Sequence, residues 1–260
     1  MLRRRRRTPK DRPAASPRTV AAAPGTRRRA RPGVQVPDRL VIASEPSDVV
    51  LVTGFDAFCG ERINPSWEIC ERLPRSIAGL RLETCRVPCE FRRAIEAVVE
   101  AIRRHRPSLV VCLGQAGGRA HLSVERVAIN VDDARAADNG GQRPIDEPIA
   151  RGGPPAYFAT LPIKAMVEEM RAAGIPAEVS NSAGTYVCNH VMYGVLHHLA
   201  GEAPSTRAGF IHVPYCESQV LGKPAVAAMA IDTMVKGIEA AIVAARRHET
   251  DLKIAGGTLD

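Results

Sequence analysis

The chain has 260 residues, 45% hydrophobic and 4% aromatic, with 36 Lys and Arg against 28 Asp and Glu and a formal charge of +8. That length holds one large domain or two small ones with an ordinary core, and no apolar run long enough for a membrane span occurs. Charge is unevenly placed: residues 1–47 carry 13 basic and 3 acidic groups, and the rest carries 23 and 25, a net of −2.

The basic tail contains seven prolines, the runs Arg3–Arg7 and Arg27–Arg29, and no aromatic residue. Such a segment buries too little apolar surface to fold, so disorder is expected over 1–47. It reads as a nucleic-acid-binding arm, a targeting segment, or dispensable sequence upstream of the true start; the last is favoured. No apolar stretch follows the arginines as a secretory signal requires.

From residue 48 onward, strands and helices alternate. Asp48–Gly54 reads as a buried strand, and Asn64 as the N-cap of a helix with Pro65 at its first position, running to Arg72. Leu80–Val87 is strand-like, Glu90–His105 helical, and Ser108–Leu113 a fully apolar strand. Val124 to Val131 is strand-like and carries Glu125. Residues 131–155 then form a long polar stretch rich in Gly and Pro, of the kind that is functional or mobile in compact domains. Pro162–Ala173 is helical, ended by Gly174 and Pro176, and Ala177–Asn181 alternates as a short strand. Helix Tyr186–Leu199, strand Gly209–Tyr215 and a long helix Pro224–His248 follow. This alternation predicts one three-layer α/β/α domain over 48–260, with a largely parallel twisted sheet.

Three residues in this pattern suit nucleophilic chemistry. Cys188 falls in the first turn of a helix, where unpaired N–H groups and the positive end of the dipole favour thiolate and can hold an oxyanion. His212 stands alone in an apolar strand, and Glu125 is the single carboxylate of another. A thiol needs a base, and the base needs an acceptor to fix its tautomer. On the residues alone, the ordinary readings stay open: Cys188 as a small buried hydrophobe, His212 as a core histidine, Glu125 on the solvent face.

Six runs narrow the choice: Leu51–Phe58, Asn64–Glu68, Gly114–Arg119, Glu125–Asn130, Ala183–His190 and Gly209–Tyr215. In sequence and order they resemble the pyroglutamyl peptidase I (pyrrolidone-carboxylate peptidase) family of cysteine peptidases, over about Val49 to His248. The resemblance implies removal of N-terminal pyroglutamate from peptides through a thioester. It implies Cys188 as nucleophile, His212 as base and Glu125 as the group that orients His212. No metal or cofactor is needed. It further implies that Phe55 and Phe58 sandwich the lactam ring, that Gln115 lies near the substrate, that Arg135 helps hold the oxyanion, and that the protein is a homotetramer.

Physical chemistry agrees with such a pocket. Pyroglutamate is a flat, uncharged lactam with one donor and one acceptor, which calls for apolar walls and a few matching polar groups. Phe55 and Phe58 follow the first strand, where a loop at the C-terminal sheet edge is expected; core packing is their alternative. The family loop usually reads Gly-Phe-Asp-Pro-Phe-Gly-Gly, whereas here Ala57 replaces the proline and Cys59 the first glycine of the pair. Ala57 loosens a pre-set φ, and Cys59 adds a Cβ where a glycine is free to use positive φ. Cys59 also places a second thiol near the pocket, able to form a disulfide with Cys188 on oxidation.

Seven cysteines, an odd number with one needed free, point to a reducing compartment, the cytoplasm. Cys85 and Cys89 lack a second Cys/His pair at zinc spacing. His190, His197 and His198 lie at i, i+7 and i+8 on one helix, which predicts solvation or partial packing rather than a metal pair. Two rival functions remain: a nucleic-acid binder led by the tail, and a cysteine amidohydrolase acting on another small lactam or amide.

Overall fold

The computed structural model describes residues 48–257; the expected disordered tail at 1–47 lies outside them. A seven-stranded sheet runs through the centre, in the order β2-β3-β1-β4-β9-β5-β8. Its middle strands are β1 (Val49–Phe55), β4 (Leu109–Gln115) and β9 (Arg207–Val213), which pair in parallel with one another. Their near-continuous apolar runs suit strands covered on both faces. β3 (Leu80–Val87) is parallel to β1 on one side, with the short β2 (Ser76–Ile77) antiparallel at that edge. On the other side β5 (Leu122–Glu125) runs antiparallel to β9 and parallel to β8 (Ala177–Ser180).

Period-two alternation splits these strands between two cores. Val50, Val52, Leu109, Val111, Ile211 and Val213 face one layer, formed by α1 (Pro65–Arg72), α3 (Ile163–Ala172) and α5 (Ile231–Arg247). Leu51, Phe55, Val110, Cys112 and Phe210 face the other, formed by α2 (Arg93–His105) and α4 (Val187–Glu202). Helices on both faces of a mostly parallel sheet make the three layers expected.

Asn64 caps α1 as read from the sequence, its Oδ1 accepting from Ser66 N–H at 3.1 Å with Pro65 behind it. Gly54 lets this helix approach: a Cβ there would lie 2.4 Å from Ser66 O. Two boundaries differ most from expectation. The run at Val124–Val131 is broken at Arg126, whose N–H donates to Ser180 O. Past the break the chain forms β6 (Val127–Ile129), paired antiparallel with β7 (Ala156–Phe158) in a separate two-stranded sheet. Glu125 is thereby left at a strand end. The last helix starts at Ile231 rather than Pro224, because the preceding segment bonds instead to Tyr215, with Met229 N–H donating to Tyr215 O.

Candidate active site

Cys188 is the second residue of α4. The N-cap, Tyr186, is extended and no side chain caps the helix, so first-turn N–H groups remain for a ligand oxygen. Gly114 on β4 makes room for the sulfur: a Cβ there would sit 2.9 Å from Cys188 Sγ. The thiol is half-buried, in contrast to the buried Cys70, Cys89 and Cys112. Burial pushes those three up, Cys112 to about 12.

Sheet register delivers the other two groups. Ser123 stands opposite His212 in the antiparallel β5/β9 pair, so Glu125, two residues on, is a diagonal neighbour on the same face. His212 Nδ1 donates to Glu125 Oε1 at 2.7 Å, across 87 positions of sequence. Both side chains are buried, His212 at 5% exposure and Glu125 at 0%. The remaining imidazole nitrogen is left for Cys188, which lines the same cavity and raises the ring's pKa. Burial opposes charging the ring, but Cys188 and Glu125 outweigh it and hold His212 up at about 9.

Burial likewise works against a charged Glu125, yet His212 and Arg119, which donate to it, and the nearby Ser180 hydroxyl keep its carboxyl below the ordinary range. Arg119 Nη1 donates to the same Oε1 at 2.9 Å. Glu125 Oε2 is buried and meets no hydrogen-bond partner at normal geometry, although the Ser180 hydroxyl is close enough to favour the charge. The assembly is a buried carboxylate, an imidazole readily protonated, and a thiol at a helix start. That is an arrangement for acyl transfer through sulfur.

Beside the thiol lies a cavity of about 150 Å³. Phe55, Phe58, Tyr186 and Val187 supply apolar wall, Gln115 and Asn64 polar edge, and Cys188 and His212 the reactive side. Phe55 packs 6.4 Å from Phe210 and Phe58 packs 6.3 Å from Tyr186, while both line the cavity. Gln115 Oε1 accepts from Gln219 Nε2 at 2.8 Å. Arg135 is brought to no part of this wall; it is exposed on the loop after β6.

Several residues of the site escaped sequence reasoning. Tyr186 lies two residues before Cys188 and stacks edge-on against Phe91 at 5.5 Å. Arg119 closes one of the matched runs with no role implied for it, and the sequence marks Asn64 only as a cap. Gln219, in the short 3-10 helix Glu217–Gln219, gave no signal at all. Cys59 is exposed and has φ +53°, the positive value its glycine counterpart would adopt freely. The second thiol lining the cavity is Cys89 rather than Cys59. His190 departs from expectation: it is 3% exposed and doubly bonded, Nδ1 to Asp132 Oδ2 at 2.8 Å and Nε2 accepting from Arg92 N–H at 2.8 Å.

An α/β layered hydrolase of the cysteine type is the class these features define. Comparison with known proteins carries this further. The family model for pyroglutamyl peptidase matches residues 48–248. The chain is 53% identical over 212 residues to the pyrrolidone-carboxylate peptidase of Cupriavidus taiwanensis, covering 81% of this chain and 98% of that one. It is 50% identical over 210 residues to that of Alkaliphilus oremlandii, covering 81% and 99%. The crystal structure of pyroglutamyl peptidase I from Bacillus amyloliquefaciens superposes with a TM-score of 0.78 at 43% identity, over 80% of this chain and 100% of that one. The chain therefore belongs to the pyroglutamyl peptidase family, cysteine peptidases that remove N-terminal pyroglutamate. Among the described residues, no helix is long and apolar enough to cross a membrane.

Proposed function

We propose that this protein hydrolyses the bond after an N-terminal pyroglutamyl residue, with Cys188, His212 and Glu125 as its catalytic residues. The observation that carries this reading is the His212–Glu125 bond of 2.7 Å beside Cys188, on a cavity walled by Phe55 and Phe58. His212 takes the Cys188 proton, and Glu125 holds the imidazole and its charge. The thiolate adds to the pyroglutamyl carbonyl carbon, and first-turn N–H groups of α4 hold the oxyanion. Arg135 joins them if its loop closes over substrate. The C–N bond then breaks as His212 protonates the leaving amine, giving a thioester and a free peptide. Water, deprotonated by His212, hydrolyses the thioester and releases pyroglutamate and the thiol.

Phe55, Phe58 and Gln115 are assigned to the lactam ring. A prolyl ring lacks the carbonyl and brings an ammonium that apolar walls cannot solvate. Fluorophore release from pyroglutamyl-coumarin amide, with the prolyl amide as control, tests the reading; equal rates, or none on the lactam, would overturn it. Residues 48–260 constitute the catalytic domain in this reading, and 1–47 a dispensable tail: a truncated chain retains activity, whereas a nucleic-acid binder would lose affinity and its salt dependence. Seven free thiols favour a reducing, cytoplasmic setting. A homotetramer is the assembly proposed, with exposed Ile145 and Phe158 as apolar surface for it; light scattering measures it.

A further inference from the structure

Gln219 does not touch the cavity, yet its bonds decide what the cavity can recognise. It is 6% exposed, in the 3-10 helix after β9. Its Oε1 lies 3.2 Å from the backbone N–H of Cys216, a group that can only donate. Its Nε2 lies 3.5 Å from the backbone carbonyl of Ile63, a group that can only accept. Backbone chemistry thus fixes which end of this amide is oxygen and which is nitrogen. The same Nε2 is 2.8 Å from the side chain of Gln115, so the atom it meets there must be Gln115 oxygen. Gln115 then has only its amide nitrogen left for the cavity it lines.

We infer that Gln219 is a specificity-positioning residue: it locks Gln115 as a hydrogen-bond donor toward the pocket, selecting rings that present a carbonyl oxygen at that point. This rests on the pyroglutamyl reading and deepens it. A lactam offers its ring C=O to the Gln115 N–H. A prolyl ring has CH2 where the lactam has C=O, so it would leave the Gln115 N–H unpaired, as would a plain carbocycle. Rejection by an unmatched buried polar group is stronger than rejection by shape.

Gln219→Glu is the sharpest test. A carboxylate at 219 accepts from both Cys216 and Gln115, which turns the Gln115 amide and offers oxygen to the substrate carbonyl. KM for pyroglutamyl-coumarin amide should rise by about tenfold or more, the cost of one reversed buried amide, with kcat within about twofold. Alkylation of Cys188 by iodoacetamide should proceed at the wild-type rate without ligand. Protection of that thiol by 2-pyrrolidinone, the isolated lactam ring, should be lost. Gln219→Met keeps the volume without the charge and carries the test if the glutamate variant unfolds; it should weaken protection in the same direction by a smaller factor. Equal protection in wild type and both variants would overturn the relay. So would a fall in kcat matched by slower alkylation, which marks damage to the nucleophile rather than to recognition. Wild-type protein neither protected by the lactam nor active on the amide would overturn the substrate reading, and the relay with it.

Discussion

Two buried histidines of this domain give Nδ1 to a carboxylate at nearly the same distance, 2.7 Å for His212–Glu125 and 2.8 Å for His190–Asp132. Their second nitrogens separate them. His190 Nε2 is occupied by the backbone N–H of Arg92, and its ring lies edge-on to Phe91 at 5.3 Å. His212 keeps its second nitrogen for Cys188. One pair therefore ties α4 and the start of α2 to the loop after β6. The other can move a proton. The capacity to move a proton follows from what meets the far side of the ring, not from the carboxylate behind it.

The largest effect should separate the pairs outright. His212→Ala and Cys188→Ala should each lower turnover by about 10⁶, because members of such a unit fail together, with cooperative unfolding retained. Full activity in Cys188→Ala would sink the thioester route. Glu125→Gln should leave activity about a hundredfold above His212→Ala, since Glu125 only orients and charges the base. Single-turnover rates on pyroglutamyl-coumarin amide order all three.

His190→Ala should behave in the opposite way. It strips the partner from buried Asp132 and the acceptor from Arg92 N–H, so stability should fall by about 1–3 kcal/mol for each group left unpaired. Activity per folded molecule should stay near wild type. Denaturant unfolding and active-site titration with iodoacetamide measure the two quantities separately; loss of turnover without loss of stability would erase the distinction between the two histidines.

Titration sharpens the contrast. His212 is held at about 9, above its ordinary 6.5. The interactions that raise it contribute stability in full below about 6.5, and that contribution is lost as pH rises through about 9. Hydrolysis, which needs the protonated ring to protonate the leaving amine, should decline over the same upper window. In Cys188→Ser one raising influence is gone, so ring-proton NMR should find His212 titrating lower than in wild type. An unchanged titration would mean that Cys188 does not act on the ring.

The smallest effect concerns the pocket loop. Cys59→Gly should stabilise the chain by about 1 kcal/mol by relieving the positive φ, with unchanged kcat. Phe58→Ala, in the same loop, should raise KM while Cys188 still reacts with iodoacetamide; unchanged kinetics would return Phe58 to packing against Tyr186 alone.

Much of the domain is determined locally, and so could be read in the chain. Asn64-Pro65 specifies a helix start by its own hydrogen bond and fixed φ, and the apolar run Val49–Val52 can only be a strand covered on both faces. The bend at Ala183–Thr185 and the helical spacing after Tyr186 place Cys188 at its helix start in the chain itself. What tertiary structure alone decided is which distant groups share a bond. The break at Arg126 and the antiparallel β5/β9 register bring Glu125 to His212. A backbone donor from Arg92, 98 positions away in sequence, turns His190 into a strut. Gln219 acts on Gln115 across 104 positions, and Arg135 stays on an exposed loop. Periodicity and caps report the energetics of neighbouring residues; hydrogen bonds between segments depend on register and chain path, which no local pattern encodes.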